Sequence, residues 1–191
     1  MKKILFLALA AVSALVSCKS KPEKEVVMVV ETTMGTVEFK LYNETPKHRD
    51  NFIKLAEEHY FDSLLFHRVI DGFVIQGGDP NSKYAEPGQM LGDGEPDFRV
   101  PAEIRVDQGI ICKKGSILAA REGDDVNPDR ESCASQYCFM MGAFPHLDGA
   151  YTLFGEVTEG MDVLEAMQKV PTDEYDRPLE DIRMLKVYRK E

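Results

Sequence analysis

Residues 66–80 read FHRVIDGFVIQGGDP, an apolar run folded around Asp71-Gly72, with one arginine among Phe66, Val69, Ile70, Phe73, Val74 and Ile75. Two such runs flanking Asp-Gly predict a β-hairpin. An arginine in a core strand is costly unless it is paired or faces outward, so the register decides what Arg68 is for. A two-residue loop at Asp71-Gly72 pairs Arg68 with Ile75 and sends Gln76 to the opposite face. A three-residue loop, Asp71-Gly72-Phe73, sets Arg68 opposite Gln76 and Ile70 opposite Val74, leaving Val69 and Ile75 as a core pair. Turn statistics alone favour the first.

Outward from the hairpin, EVVMVVETTMGTVEFKLY (25–42) predicts a second hairpin around Met34-Gly35. NETPKHRDNFIKLAEEHYF (43–61) predicts a helix, with Thr45 as N-cap, Pro46 at the first helical position and an apolar stripe of Phe52, Leu55, Ala56 and His59–Tyr60. The Gly-, Pro- and polar-rich stretch 81–104 predicts a long surface excursion. KGSILAAR (114–121), SQYCFMM (135–141), YTLFGEV (151–157) and DIRMLKVYRK (181–190) read as strands, and EGMDVLEAMQKV (159–170) as a short amphipathic helix with Met161, Leu164 and Met167 on one side. Many short strands with two well-separated helices indicate an antiparallel barrel or sandwich with helical caps.

The 191 residues suffice for one domain with a full core. The formal charge of −10 and the lack of a basic patch argue against nucleic acid, whose binding depends on phosphate neutralisation. No GxSxG elbow, HExxH or internal repeat is present, and no helix with Lys-Ser/Thr follows the glycines of QGGDP as a phosphate loop requires.

The N-terminal MKKILFLALAAVSALVSCKSKPEKE separates from the fold. Lys2 and Lys3 precede an apolar run, Ile4–Val16, of signal-peptide length and too short to span a bilayer. Leu15-Val16-Ser17-Cys18 resembles a bacterial lipobox, in which Cys18 becomes the lipidated first residue of the mature chain. The expected organisation is a signal peptide at 1–17, lipidated Cys18 with a polar tether to residue 25, and a folded domain at 26–191. Losing 1–17 removes two lysines and no acid, taking the charge from −10 to −12. Of the remaining Cys112, Cys133 and Cys138, Cys133 and Cys138 are a possible pair, and unpaired buried thiols are the expected state. No Cys/His spacing suggests zinc.

Four motifs in order, MGTVEFKLYNETPKHRDNF, FHRVIDGFVIQGGD, KGSILAAR…SQYCF and LDGAYTLFGEVTEGMDVLEAM, resemble the cyclophilin-type peptidyl-prolyl cis–trans isomerases across nearly all of residues 26–190. The resemblance implies a mainly β fold: a closed eight-stranded antiparallel β-barrel capped by two α-helices, with an active groove on its outer face. It implies an isomerase acting on proline-containing polypeptides, with no cofactor and no metal. The expected setting is the bacterial cell envelope, with a monomer held on a membrane through Cys18 and serving exported proteins. The alternative is a proline-binding or chaperone module of the same fold that has lost most catalysis.

The chemistry suits a sequence without nucleophile or general base. Twisting the amide opposes a resonance barrier of about 18–20 kcal/mol, while the X–Pro ground states differ by only about 0.5–1 kcal/mol. A catalyst must seat the proline ring in an apolar pocket, hold the backbone by hydrogen bonds and place a cation where the nitrogen lone pair reappears. By resemblance Arg68 is that cation, and Gln76 bonds the substrate backbone and orients Arg68. That pairing selects the three-residue loop. Phe73 and Val74 match the pocket floor, Ala120 and Arg121 the segment offering backbone groups to the peptide, Gln136 a second groove glutamine, and Leu147 and Tyr151 the far wall. Cys138 stands where the family has an aromatic; either the thiol covers the proline less fully, or a local register shift presents Tyr137 or Phe139 instead. His146 replaces a family Trp or Phe and is read as an exposed loop residue, and His48 and His67 lack ligand-spaced partners.

Overall fold

A computed structural model describes residues 25–191. The expected signal peptide, Cys18 and most of the tether lie outside the described residues. Strands β1 (Val26–Thr32) and β2 (Gly35–Leu41) form the first hairpin, followed by helix α1 (Pro46–Glu57). The second hairpin is β3 (Phe66–Ile70) with β4 (Val74–Gly77). After the long excursion come β5 (Arg99–Val100), β6 (Ser116–Ala119), β7 (Ser132–Cys133), β8 (Tyr137–Met140) and β9 (Leu153–Glu159), then α2 (Met161–Met167) and β10 (Met184–Arg189). Eight strands make one sheet in the order β10-β1-β2-β9-β6-β8-β4-β3, and β5 and β7 pair separately.

The expected closed barrel is not formed: the sheet is an open half-barrel whose edges are β3 and β10. Those edges meet at an isolated bridge, Leu65 to Arg183, where Phe66 N donates to Ile182 O and Met184 N to Leu64 O. A full ladder is blocked because the irregular segment before β10 takes the next outward group of β3, Val69 N donating to Asp176 O at 2.8 Å.

Period-two alternation gives the sheet two apolar faces. Phe39, Phe66, Val69, Ile75, Ile117, Tyr137, Phe139 and Phe154 point into the main core under the helices. Val74, Leu118, Cys138, Met140 and Leu153 form a second cluster on the outer face. The helices cover the first face: Phe52, Leu55 and Ala56 of α1 and Leu164 and Met167 of α2 are buried. His59 and Tyr60, expected on the α1 stripe, lie beyond its end, with His59 in a left-handed turn (φ 57°) and exposed.

Thr45 precedes α1 as expected, but its side chain makes no cap. Instead Glu103, buried and far along the chain, accepts from Lys47 N at 3.1 Å and His48 N at 3.0 Å, supplying the anion that helix N-termini favour. Gly78 explains one glycine of QGGDP. Its φ is +95°, and a Cβ there would strike the Ser135 carbonyl.

Candidate active site

The β3–β4 hairpin has the three-residue loop: Arg68 pairs with Gln76, Val69 with Ile75 and Ile70 with Val74, and Phe73 N donates to Ile70 O. The register breaks between Phe66 and Arg68, making His67 the extra residue of a β-bulge. The bulge is why Phe66 packs in the core while Arg68, two residues on, faces outward. Arg68 Nη1 donates to Gln76 Oε1 at 3.4 Å; Gln76 Nε2 donates to Gln136 Oε1 at 2.9 Å; Gln136 Nε2 donates to the carbonyls of Gly92 (2.8 Å) and Gly94 (2.6 Å). The cation therefore ends a chain of side-chain amides anchored in the long excursion.

Beside it opens a cavity of about 170 Å³ whose floor and walls are Phe73, Val74, Cys138, Leu147 and Tyr151, with Arg68, Gln76, Ala120 and Arg121 at its polar side. The sequence-expected residues thus come together, except Gln136, which lines an adjoining depression of about 320 Å³ together with Gly92, Gly94, Glu95 and Glu122. Gln76, Ala120 and Arg121 border both cavities. Leu118 and Met140 also line the first and were missed. Their signal was available, since each sits two residues from an expected lining residue, Ala120 or Cys138.

Cys138 itself faces the cavity, opposite Gln76 on β4 and Leu118 on β6. Tyr137 and Phe139 are both core residues, so no register shift brings an aromatic to the wall. Burial pushes the Cys138 thiol up to about 12, with the Arg68 charge a smaller opposing influence. The possible Cys133–Cys138 bond is not formed, and Cys133 is half-buried rather than buried.

Ala120 N already donates to Gln136 O, and Ala120 O accepts from Cys133 N at 2.8 Å. Arg121 acts through its side chain: Nε donates to Ala150 O at 2.8 Å, Nη2 pairs with Asp124 at 2.7 Å, and the guanidinium sits 4.5 Å over the Tyr151 ring. It clamps the far wall to the loop after β6.

His48 is not isolated either. Its Nδ1 lies 2.8 Å from Glu103 Oε2 and its Nε2 3.0 Å from Ser132 Oγ, an acid–base–hydroxyl order that resembles a hydrolytic triad. Ser132 is 0% exposed, so no substrate carbonyl can reach it, and the trio ties α1 to β7.

A family model described as cyclophilin-type peptidyl-prolyl cis-trans isomerase matches residues 27–189. A Neurospora crassa protein named peptidyl-prolyl cis-trans isomerase-like 1 is 37% identical over 160 residues, covering 83% of this chain and 91% of its own. A Schizosaccharomyces pombe peptidyl-prolyl cis-trans isomerase is 36% identical over 158 residues, covering 82% and 94%. These relatives are eukaryotic. The crystal structure of a Cryptosporidium parvum cyclophilin-type isomerase superposes with a TM-score of 0.77 at 25% identity, covering 88% of this chain and 99% of that one. A second crystal structure of it, obtained in the presence of the dipeptide Ala-Pro, gives 0.72 at 24% identity, covering 86% and 99%. With an outward arginine beside an apolar cavity on the same open sheet, the chain belongs to the cyclophilin-type peptidyl-prolyl cis–trans isomerases.

Proposed function

We propose that the groove on the outer face of β4, β6 and β8 performs the isomerisation by seating the proline ring on Phe73, Val74, Leu118, Cys138 and Met140. Arg68 then faces the amide from the polar side. As the C–N bond twists, the nitrogen regains its lone pair, and the guanidinium stabilises that developing charge more than it stabilises the planar amide. Gln76, fixed by Gln136, keeps Arg68 over the cavity and offers its amide to the peptide backbone. Residues before the proline run into the adjoining depression. The carrying observation is that Arg68 and Gln76 share one face at the rim of the apolar cavity. The Ala-Pro dipeptide used with the Cryptosporidium relative has the chemistry this cavity suits.

The test is Arg68→Ala in a protease-coupled assay on an X–Pro peptide, with peptide affinity measured separately. Turnover is expected to fall about 10²–10³-fold, as when one preorganised donor is lost, with affinity nearly unchanged. Equal losses in both would reject this role for Arg68.

We further propose that the enzyme is an envelope lipoprotein acting on exported polypeptides. Lys2-Lys3, the apolar run Ile4–Val16 and Leu15-Val16-Ser17-Cys18 support this reading. Acyl chains on Cys18 would contribute about 0.8 kcal/mol per buried methylene. Cys18→Ala is expected to move the protein from the membrane to the soluble fraction of its host; unchanged fractionation rejects the anchor.

A further inference from the structure

Arg68 is held from two sides. Gln76 meets Nη1, and Asp176 Oδ2 lies 3.6 Å from Nε, with the two charged side chains 39% and 45% exposed. We propose that Asp176 is a built-in counter-ion of the groove arginine: it fixes the guanidinium by its rear edge and sets how much positive potential reaches the substrate nitrogen. This deepens the assignment of Arg68 above and rests on it.

Several observations show that Asp176 is placed there by the fold. Its carbonyl accepts from Val69 N at 2.8 Å, one residue along from Arg68, which fixes the distance between the two backbones. Its φ of +63° is a left-handed conformation unfavourable for a non-glycine residue, and Asp and Asn bear it best. The surrounding turn enforces that conformation. Asp173 Oδ1 accepts from Tyr175 N and Arg177 N, both at 2.9 Å, and Asp173 N donates to Arg177 O at 2.8 Å.

Nor is Asp176 neutralised by another cation. The adjacent Arg177 points away, donating to the carbonyls of Glu86 and Gln89 and pairing with Asp181. Several other acids around the groove have partners of their own: Asp71 with Lys169, Asp124 with Arg121 and Arg130, and Glu95 and Glu122 with Arg99, while Asp93 lines the adjoining depression and not the proline cavity. Among the described residues, Asp176 is the one acid ion-paired with Arg68.

The electrostatic consequence has a definite sign. A carboxylate behind the guanidinium subtracts from the field in front of it, at the place where the twisted amide nitrogen develops charge. Asp176 should therefore attenuate turnover while keeping Arg68 in one attitude. Because the pair is half-exposed, salt screens it. From about 0.01 M to about 0.15 M ionic strength the screening length contracts from about 30 Å to about 8 Å.

The experiment uses Asp176→Asn, which keeps the size and the tolerance of left-handed backbone but removes the charge. Turnover of an uncharged X–Pro peptide is measured at saturation by NMR exchange, at low and at moderate salt, beside wild type and Arg68→Ala. Asp176→Asn is expected to raise turnover about two- to five-fold, the range spanned by a half-exposed ion pair, with little change in KM. Wild-type turnover should rise with salt and that of Asp176→Asn should not. A variant with unchanged or lower turnover, or a wild type indifferent to salt, overturns the proposal; the salt titration of wild type decides even if the variant folds poorly. If Arg68→Ala loses turnover while Asp176→Asn matches wild type, only the counter-ion role fails. If Arg68→Ala keeps its turnover, both assignments fail.

Discussion

Gln76 and Gln136 form a side-chain amide pair across β4 and the start of β8, with Gln76 donating at 2.9 Å and Gln136 spending both its own protons on Gly92 and Gly94 carbonyls. Gln136 is buried and does not touch the proline cavity. It nevertheless decides which way the Gln76 amide points, and so which atom faces Arg68.

Gln136→Ala is accordingly expected to lower kcat/KM about ten-fold, the worth of one hydrogen bond with its partner left bare. Gln136→Glu can still accept from Gln76 but cannot donate to the two glycines, so it should fall between. Steady-state assays on one X–Pro peptide check the order.

Glu103 holds α1 from the far side of the chain, through Lys47 N, His48 N and the His48 ring. Removing it strands the buried His48 N and ring nitrogen and the part-buried Lys47 N, a buried unpaired group costing about 1–3 kcal/mol. Glu103→Ala should lower unfolding free energy by about 3–5 kcal/mol in urea titrations, whereas Thr45→Ala should lose far less, because Thr45 makes no cap.

His67, the bulge residue, is 3% exposed and neither ring nitrogen has a hydrogen-bond partner. Burial lowers its pKa to about 4, against the opposing charge of Asp79. The unfolded chain takes up the proton near 6.5, so stability is complete above that pH and falls as the pH drops from 6.5 to 4. A shift of this size corresponds to roughly 3 kcal/mol. Unfolding midpoints of wild type should decline over that window, and those of His67→Leu should stay level.

The Cys138 thiol, pushed up to about 12 by burial, holds almost no thiolate at neutral pH. Iodoacetamide at pH 8 is expected to leave it unmodified in the folded protein and to alkylate it after unfolding in urea, as read by peptide mass spectrometry. Rapid labelling of the folded form would contradict the buried wall described above.

How far the sequence could be read follows from the range of each interaction. Val69, Ile75, Arg68 and Gln76 are linked by one short turn, and alternation together with the resemblance sufficed to pair them. The bulge at His67 escaped because strict alternation sets Phe66 on the same face as Arg68; only the tertiary demand for Phe66 in the core reveals the inserted residue. Glu103 capping α1, Arg121 clamping Ala150 and Asp176 meeting Arg68 all join segments far apart in sequence, and no local pattern announces them. The closed barrel failed for a related reason. Closure depended on the stretch before β10, which meets the β3 side only at Val69 N to Asp176 O and at the isolated Leu65–Arg183 bridge, and not through a ladder.

The alternation along β6 and β8 has a consequence for how such an enzyme can change. Ile117, Tyr137 and Phe139 belong to the interior, while Leu118, Cys138 and Met140 belong to the groove. Neighbouring letters of the sequence thus answer to separate demands, folding at one position and substrate choice at the next. A groove redesign confined to 118, 138 and 140 would leave the interior chemically untouched, whereas a one-residue slip of either strand would exchange the two sets and cost the protein both.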